Sequence, residues 1–139
     1  MILLDTNVVS EPLRRVPDPR VAAWLDGQAL ETLYLSAITV AELRFGVRSL
    51  SAGRRRDRLH EDLEGQVLPM FAGRVLVFDL AASQAYAELM ATARSEGRTI
   101  PVSDGYIAAT AAANGMMVAT RDTAPFEAAG LKTVDPWTV

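Results

Sequence analysis

Short apolar runs that break off at a polar residue, each followed by a stretch with helical spacing, recur along this chain. Met1 to Leu4 is wholly apolar and is broken by Asp5-Thr6-Asn7; Leu33 to Ala37, Val75 to Phe78, Met116 to Thr120 and Leu131 to Val134 repeat the pattern. Runs without a polar face suit strands covered on both sides, and strands alternating with helices build parallel sheets sandwiched between helical layers. The expected fold is α/β, with a central parallel sheet of four to five strands. At 139 residues, 50% of them hydrophobic, the chain suits one domain spanning residues 1–139.

The intervening segments carry helix signals. Asp18 reads as an N-cap with Pro19 in the first turn, an apolar face of Val21, Trp24 and Leu25, and a stop at Gly27. A helix through Glu42, Leu43, Phe45 and Val47 follows the second strand, with Thr39-x-x-Glu42 resembling a capping box. From about Arg54 a longer segment places Leu59, Leu63, Val67 and Leu68 at helical spacing until Pro69 and Gly73 end it. Asp79 caps a helix from Leu80 to about Ser95, closed by Gly97. Ser103 and Asp104 open the next, whose small residues Ala108 to Ala113 suit close packing under the sheet or against a second copy.

Four acids stand out by position. Asp5, Glu42, Asp104 and Asp122 each fall just after an apolar run or at the start of a helical one. In a parallel α/β sheet these places share one edge, so the four side chains are expected to meet there. Clustered carboxylates raise one another's pKa and need protons or a cation near neutral pH. With no Cys and a single His, His60, a hard divalent ion on oxygen ligands, Mg²⁺ or Mn²⁺, fits better than zinc.

Composition excludes less than it permits. No basic leader precedes the first strand and no apolar stretch approaches about 18 residues, so a cytosolic protein is expected. The net charge of −3 advertises no nucleic-acid partner, although local basic patches can coexist with it. The densest is Arg54-Arg55-Arg56-Asp57-Arg58. Thirteen of the fourteen basic residues are Arg, so this run reads first as a solvated helix start and only second as an RNA contact. His60 reads as a surface or interface residue, Trp24 and Trp137 as core or interface.

Asp5-Thr6-Asn7 after MILL, Val40-Ala41-Glu42-Leu43, Asp104-Gly105-Tyr106-Ile107-Ala108-Ala109-Thr110-Ala111 and Thr120-Arg121-Asp122, in this order across the whole chain, closely resemble the PIN-domain family. MILLDTNVVSEP, AITVAELRFG and SDGYIAATA bring it nearest to the VapC and FitB type, toxin ribonucleases of type II toxin–antitoxin pairs. The resemblance implies a PIN-like α/β/α fold and an Mg²⁺- or Mn²⁺-dependent endoribonuclease that leaves 5′-phosphate and 3′-hydroxyl ends. It implies Asp5, Glu42, Asp104 and Asp122 as catalytic metal ligands; Thr6, Asn7 and Thr120 are expected to orient them by hydrogen bonds. It also implies a small DNA-binding antitoxin of VapB or FitA type as partner, its Arg or Lys directed at the acids, and pairing into homodimers.

Each acid has a purely structural alternative: a turn for Asp5 and for Asp122, the helix dipole for Asp104, the capping box for Glu42. Asp79 is read as a helix cap rather than a fifth ligand, since a strand order like the family's puts the strand before it at the sheet edge. Rival readings are a PIN-type nuclease with an RNA-processing or structure-specific DNA role, a non-catalytic interaction module, and a phosphate-binding signalling domain. The last lacks the late strand-end Lys it would need, since the only Lys is Lys132. The RNA target is not legible in the chain.

Overall fold

The computed structural model describes residues 1–139. Five parallel strands, β1 (Ile2–Leu4), β2 (Leu33–Ser36), β3 (Val75–Leu76), β4 (Met117–Ala119) and β5 (Thr133–Val134), lie in the order β3-β2-β1-β4-β5. The register pairs Ile2 with Leu33 on one side of β1 and Ile2 with Met117 on the other. The first strand is thus the middle of the sheet. β1 and β4 are neighbours in space and far apart in sequence, which makes the crevice beyond their carboxyl ends the place where such sheets bind ligands.

Side chains alternate across the strands and divide the interior into two cores. Leu4, Leu33, Leu35 and Ala119 face one, with Val8, Val21, Leu43, Leu63 and Trp137. Leu3 and Val118 face the other, with Leu89, Ile107, Ala108, Ala111 and Phe126. The first core lies under α1 (Thr6–Ser10), α2 (Pro19–Asp26), α3 (Ala37–Arg48), α4 (Arg54–Asp62) and α5 (Leu68–Met70). The second lies under α6 (Leu80–Ser95), α7 (Val102–Ala113) and α8 (Ala124–Ala128). This is the expected three-layer sandwich. None of its helices is long and apolar enough to cross a membrane.

Local signals hold in most places. Asp18 Oδ1 accepts from the Arg20 N–H at 2.9 Å and Asp79 Oδ1 from that of Ala82 at 2.9 Å, as caps should. Gly73 and Gly97 adopt φ of 79° and 71°, the left-handed conformation that lets the chain turn out of a helix. The basic segment runs from α4 through a π-helical turn, Leu63–Val67, into α5. Pro69 cannot donate a backbone hydrogen bond and would crowd the carbonyl four residues back, so the wider turn before it lets the helix continue.

Two expectations need correction, and one open alternative is decided. The chain does not merely turn after β1 but forms a five-residue helix, too short to show periodicity, capped by Asp5. The capping box assigned to Thr39 and Glu42 is absent: the cap of α3 is Ser36, whose Oγ accepts from the Thr39 N–H at 3.0 Å. Of the two alternatives open for the alanine run, the structure takes the first for Ala108, Ala109 and Ala111, which are fully buried within the chain beneath the α6–α7 packing. Gly105 belongs to the same packing, since a Cβ there would lie 2.9 Å from Met90 Sδ and 3.1 Å from the Tyr86 ring.

Because Ser36 and Thr39 are both fully buried, Ser36→Ala should destabilise the fold by about 1–2 kcal/mol, lowering Tm by several degrees. Glu42→Gln and Glu42→Ala should both melt within about 0.5 kcal/mol of the parent, because neither touches the cap. Thermal melts of the three variants check this; a Glu42→Ala loss as large as that of Ser36→Ala would return Glu42 to a capping role.

Candidate functional site

Three of the four acids follow successive strands. Glu42 lies on α3 directly after β2, Asp5 ends β1, and Asp122 follows β4, so the sheet order β2-β1-β4 sets them out side by side with Asp5 in the middle. Asp104 comes from the first turn of α7, after its crossover.

Asp5 is the most constrained. It is 6% exposed; its Oδ1 accepts from the Thr6 N–H at 2.8 Å and its Oδ2 from the Thr120 hydroxyl at 2.8 Å. Having donated its one proton, the Thr120 oxygen accepts from the Asp122 N–H at 3.1 Å and the Asn7 side-chain amide at 3.4 Å. Asn7 Oδ1 in turn accepts from the Arg121 N–H at 3.3 Å, fastening the loop after β4 to α1. On the other side of Asp5, the Thr6 hydroxyl lies 2.8 Å from Glu42 Oε1 and 3.1 Å from Thr39 Oγ1. The three residues expected to orient the acids thus bond along the row. Thr39 joins them, where sequence reasoning had used it only for a helix cap.

Asp104 and Asp122 receive no such support. Neither carboxylate accepts a hydrogen bond from the protein, and none of the four ion pairs of the chain involves any of the four acids. Burial pushes Asp104 up to about 6, and the charges of Asp5, Asp122 and Glu42 add to the rise. Asp5 is also raised, chiefly by burial and further by Glu42 and Asp122, against the pull of its bonds from Thr120 and Thr6. The four acids therefore share one electrostatic site.

A hard cation suits this donor set. It is all oxygen, carries several negative charges, and has lone pairs on Asp104 and Asp122 that nothing else uses. The side chains do not stand as a ready ligand cage, since no three of them converge closely enough to grip an ion as they are. Asp79 lies elsewhere, exposed on the edge-strand side, engaged as a helix cap. His60 is exposed on α4, and Trp137 is buried with the Arg121 guanidinium 5.1 Å over its ring.

The parallel three-layer sandwich with an acidic row beyond its central strands is matched over residues 2–131 by the PIN domain. The chain belongs to the PIN-domain family. It is 63% identical over 137 residues to the VapC ribonuclease Y4jK of Sinorhizobium fredii, covering 99% of this chain and 98% of that protein. To the toxin FitB of Neisseria gonorrhoeae it is 55% identical over 137 residues, 99% of each. The crystal structure of FitAcB from Neisseria gonorrhoeae superposes with a TM-score of 0.97 at 54% identity, over 100% of both chains.

The raised Asp104 predicts a pH signature. Its folded pKa lies above the unfolded value, so between about pH 4 and 6 unfolding releases a proton and stability falls as pH rises. Asp104→Asn removes this penalty. In chelator at about pH 7.5 the variant should be more stable than the parent by about 1 kcal/mol, a figure reduced for solvent screening at a half-buried site, and the gain should fade towards pH 4. Melts of both proteins across that range check it; a gain that does not depend on pH refutes the electrostatic origin.

Proposed function

We propose that this chain is a metal-dependent endoribonuclease of the VapC and FitB kind, the toxin of a toxin–antitoxin pair, acting as one PIN unit over residues 1–139. The observation that carries this reading is the row of four acids at the sheet edge, left without any cationic side chain, in a chain 63% identical to a VapC ribonuclease. A non-catalytic module would have no use for so much uncompensated charge.

Asp5, Glu42, Asp104 and Asp122 would hold Mg²⁺ or Mn²⁺. Such an ion, when bound, lowers the pKa of water and offsets charge gathering on a scissile phosphate. The chain's own part is positional. Thr120 and the Thr6 N–H hold both oxygens of Asp5 in place, and Thr6 steadies Glu42 from the other side. Asp104, half-buried and reluctant to ionise alone, would take its charge when a cation arrives. Asn7 and Thr120 fix the backbone that presents Asp122.

The partner in this reading is a small DNA-binding antitoxin of VapB or FitA type. A relative's structure, FitAB bound to an IR36 DNA fragment, superposes on this chain with a TM-score of 0.97. An Arg or Lys from such a partner could answer the unpaired acids in place of a cation. Pairing of two copies belongs to the same reading; Val77 and Leu80, 64% and 88% exposed beside the edge strand β3, are apolar positions such pairing would cover.

Purified protein should cleave total cellular RNA with Mg²⁺ or Mn²⁺ and stop in EDTA. Asp5→Asn, Asp104→Asn and Glu42→Gln should each lower turnover at least about 100-fold, the usual cost of losing a group that acts in the transition state. Gel assays of products over time check both points. Undiminished cleavage in excess chelator would exclude the metal, and near-parental turnover of one variant would remove that residue from the site.

A further inference from the structure

The acidic row raises a difficulty that its own geometry answers. A polyanionic strand laid across four carboxylates is repelled at the centre, so cations are needed to either side of them. Two clefts open at the two ends of the row. The cleft at the Glu42 end lies between α1, α3 and α4 and is lined by Thr6, Glu42, Leu43, Leu59, Arg14 and Arg55 among others. The cleft at the Asp122 end is lined by Arg98, Thr99, Asp122 and Glu127. Because Glu42 follows β2 and Asp122 follows β4, with β1 and Asp5 between, these clefts lie on opposite sides of the centre.

The guanidinium groups differ in how free they are. Arg14 is engaged by Glu11 at 3.3 Å, whereas Arg55 is in no ion pair. Of the basic run at 54–58, only Arg55 lines this cleft; Arg54, Arg56 and Arg58 line neither. Arg98 stands 3.7 Å from Glu96, with both side chains more than half exposed, a contact too weak and too wet to hold it. Glu127, the competing charge in that cleft, has its Oε1 3.3 Å from the Thr133 hydroxyl.

Building on the ribonuclease reading, we propose that Arg55 and Arg98 are positioning residues that hold the phosphates on either side of the scissile one, so that a single RNA strand runs from the Arg55 cleft across the acids to the Arg98 cleft. Guanidinium groups suit this task because they bind phosphate in a fixed planar geometry and carry no sequence preference. They reach the strand without touching the reacting atoms, and their loss would weaken strand binding while the acids stay intact.

The test is fluorescence anisotropy with a labelled oligouridylate of about ten nucleotides, in EDTA and at several salt concentrations. Asp104→Asn serves as the uncleaving background and carries Arg55→Gln, Arg98→Gln, both, or Arg58→Gln as a control of equal charge. Arg55→Gln and Arg98→Gln should each weaken binding severalfold and flatten the plot of log affinity against log salt by about 0.7, the value of one phosphate contact on a single strand. Their effects should add, and Arg58→Gln should change the slope little. An unchanged slope for either overturns that contact. Equal effects from Arg58→Gln mean general charge and overturn both. Unchanged RNA binding with weakened capture of a co-expressed antitoxin would assign the clefts to the protein partner instead. Separately, parental protein that neither binds the oligouridylate nor cleaves cellular RNA with Mn²⁺ would sink the ribonuclease reading itself.

Discussion

A buried hydrogen bond 2.8 Å long, from the Thr120 hydroxyl to Asp5 Oδ2, ties the ends of the two central strands and orders everything around it. A carboxylate as buried as Asp5 is tolerable only if its oxygens are bonded, and the residues that bond it are themselves fixed by further bonds. Thr120 is held by the Asp122 N–H and Asn7, Asn7 holds Arg121, and Thr6 reaches to Glu42 and Thr39. One polar chain thus runs from β4 through β1 to α3, across the sheet edge, and no buried side-chain polar atom is left without a partner. The outer acids, Asp104 and Asp122, are where that chain stops and where charge is left over.

Structural and chemical roles coincide in this row rather than compete. Asp5 caps α1 with one oxygen, as a turn or cap residue would, and still shares the electrostatic site with the other acids. Glu42 shows the opposite case. Its spacing from Thr39 mimics a capping box, yet the helix is capped by Ser36, which frees Glu42 from any duty to the backbone. A pattern of residues three apart cannot say which of two nearby hydroxyls is the cap; that depends on where the preceding strand ends, and β2 ends at Ser36.

How much could be read from the chain follows from the range of the interactions involved. The parallel sandwich and the gathering of Asp5, Glu42, Asp104 and Asp122 at one edge were legible, because strand ends and helix starts in such a fold share an edge whatever the strand order. Caps at Asp18 and Asp79 were legible because they act over two or three residues. The short helix after Asp5 and the π turn before Pro69 were not, being local answers to packing and to a missing donor. The alanine run could not be assigned to core or interface until its neighbours were known. Nor could Arg55 be told from Arg54, Arg56 and Arg58, since only the angle at which α4 meets α1 and α3 decides which of them borders the Glu42 cleft.

The placing of the first strand in the middle of the sheet has a consequence for the life of the chain as it is made. β1 can pair with β2 once some 36 residues exist, but its other edge stays open until β4, which begins at residue 117, has been added. The bond between Asp5 and Thr120 closes a loop of 115 residues, a contact of long sequence separation that is slow to form. Asp5 and Glu42 are thus both made well before Asp122. A chain cut short just ahead of β4 carries Asp5, Glu42 and Asp104 but neither Thr120 nor Asp122, so the row is complete only once residues 117–122 have been added.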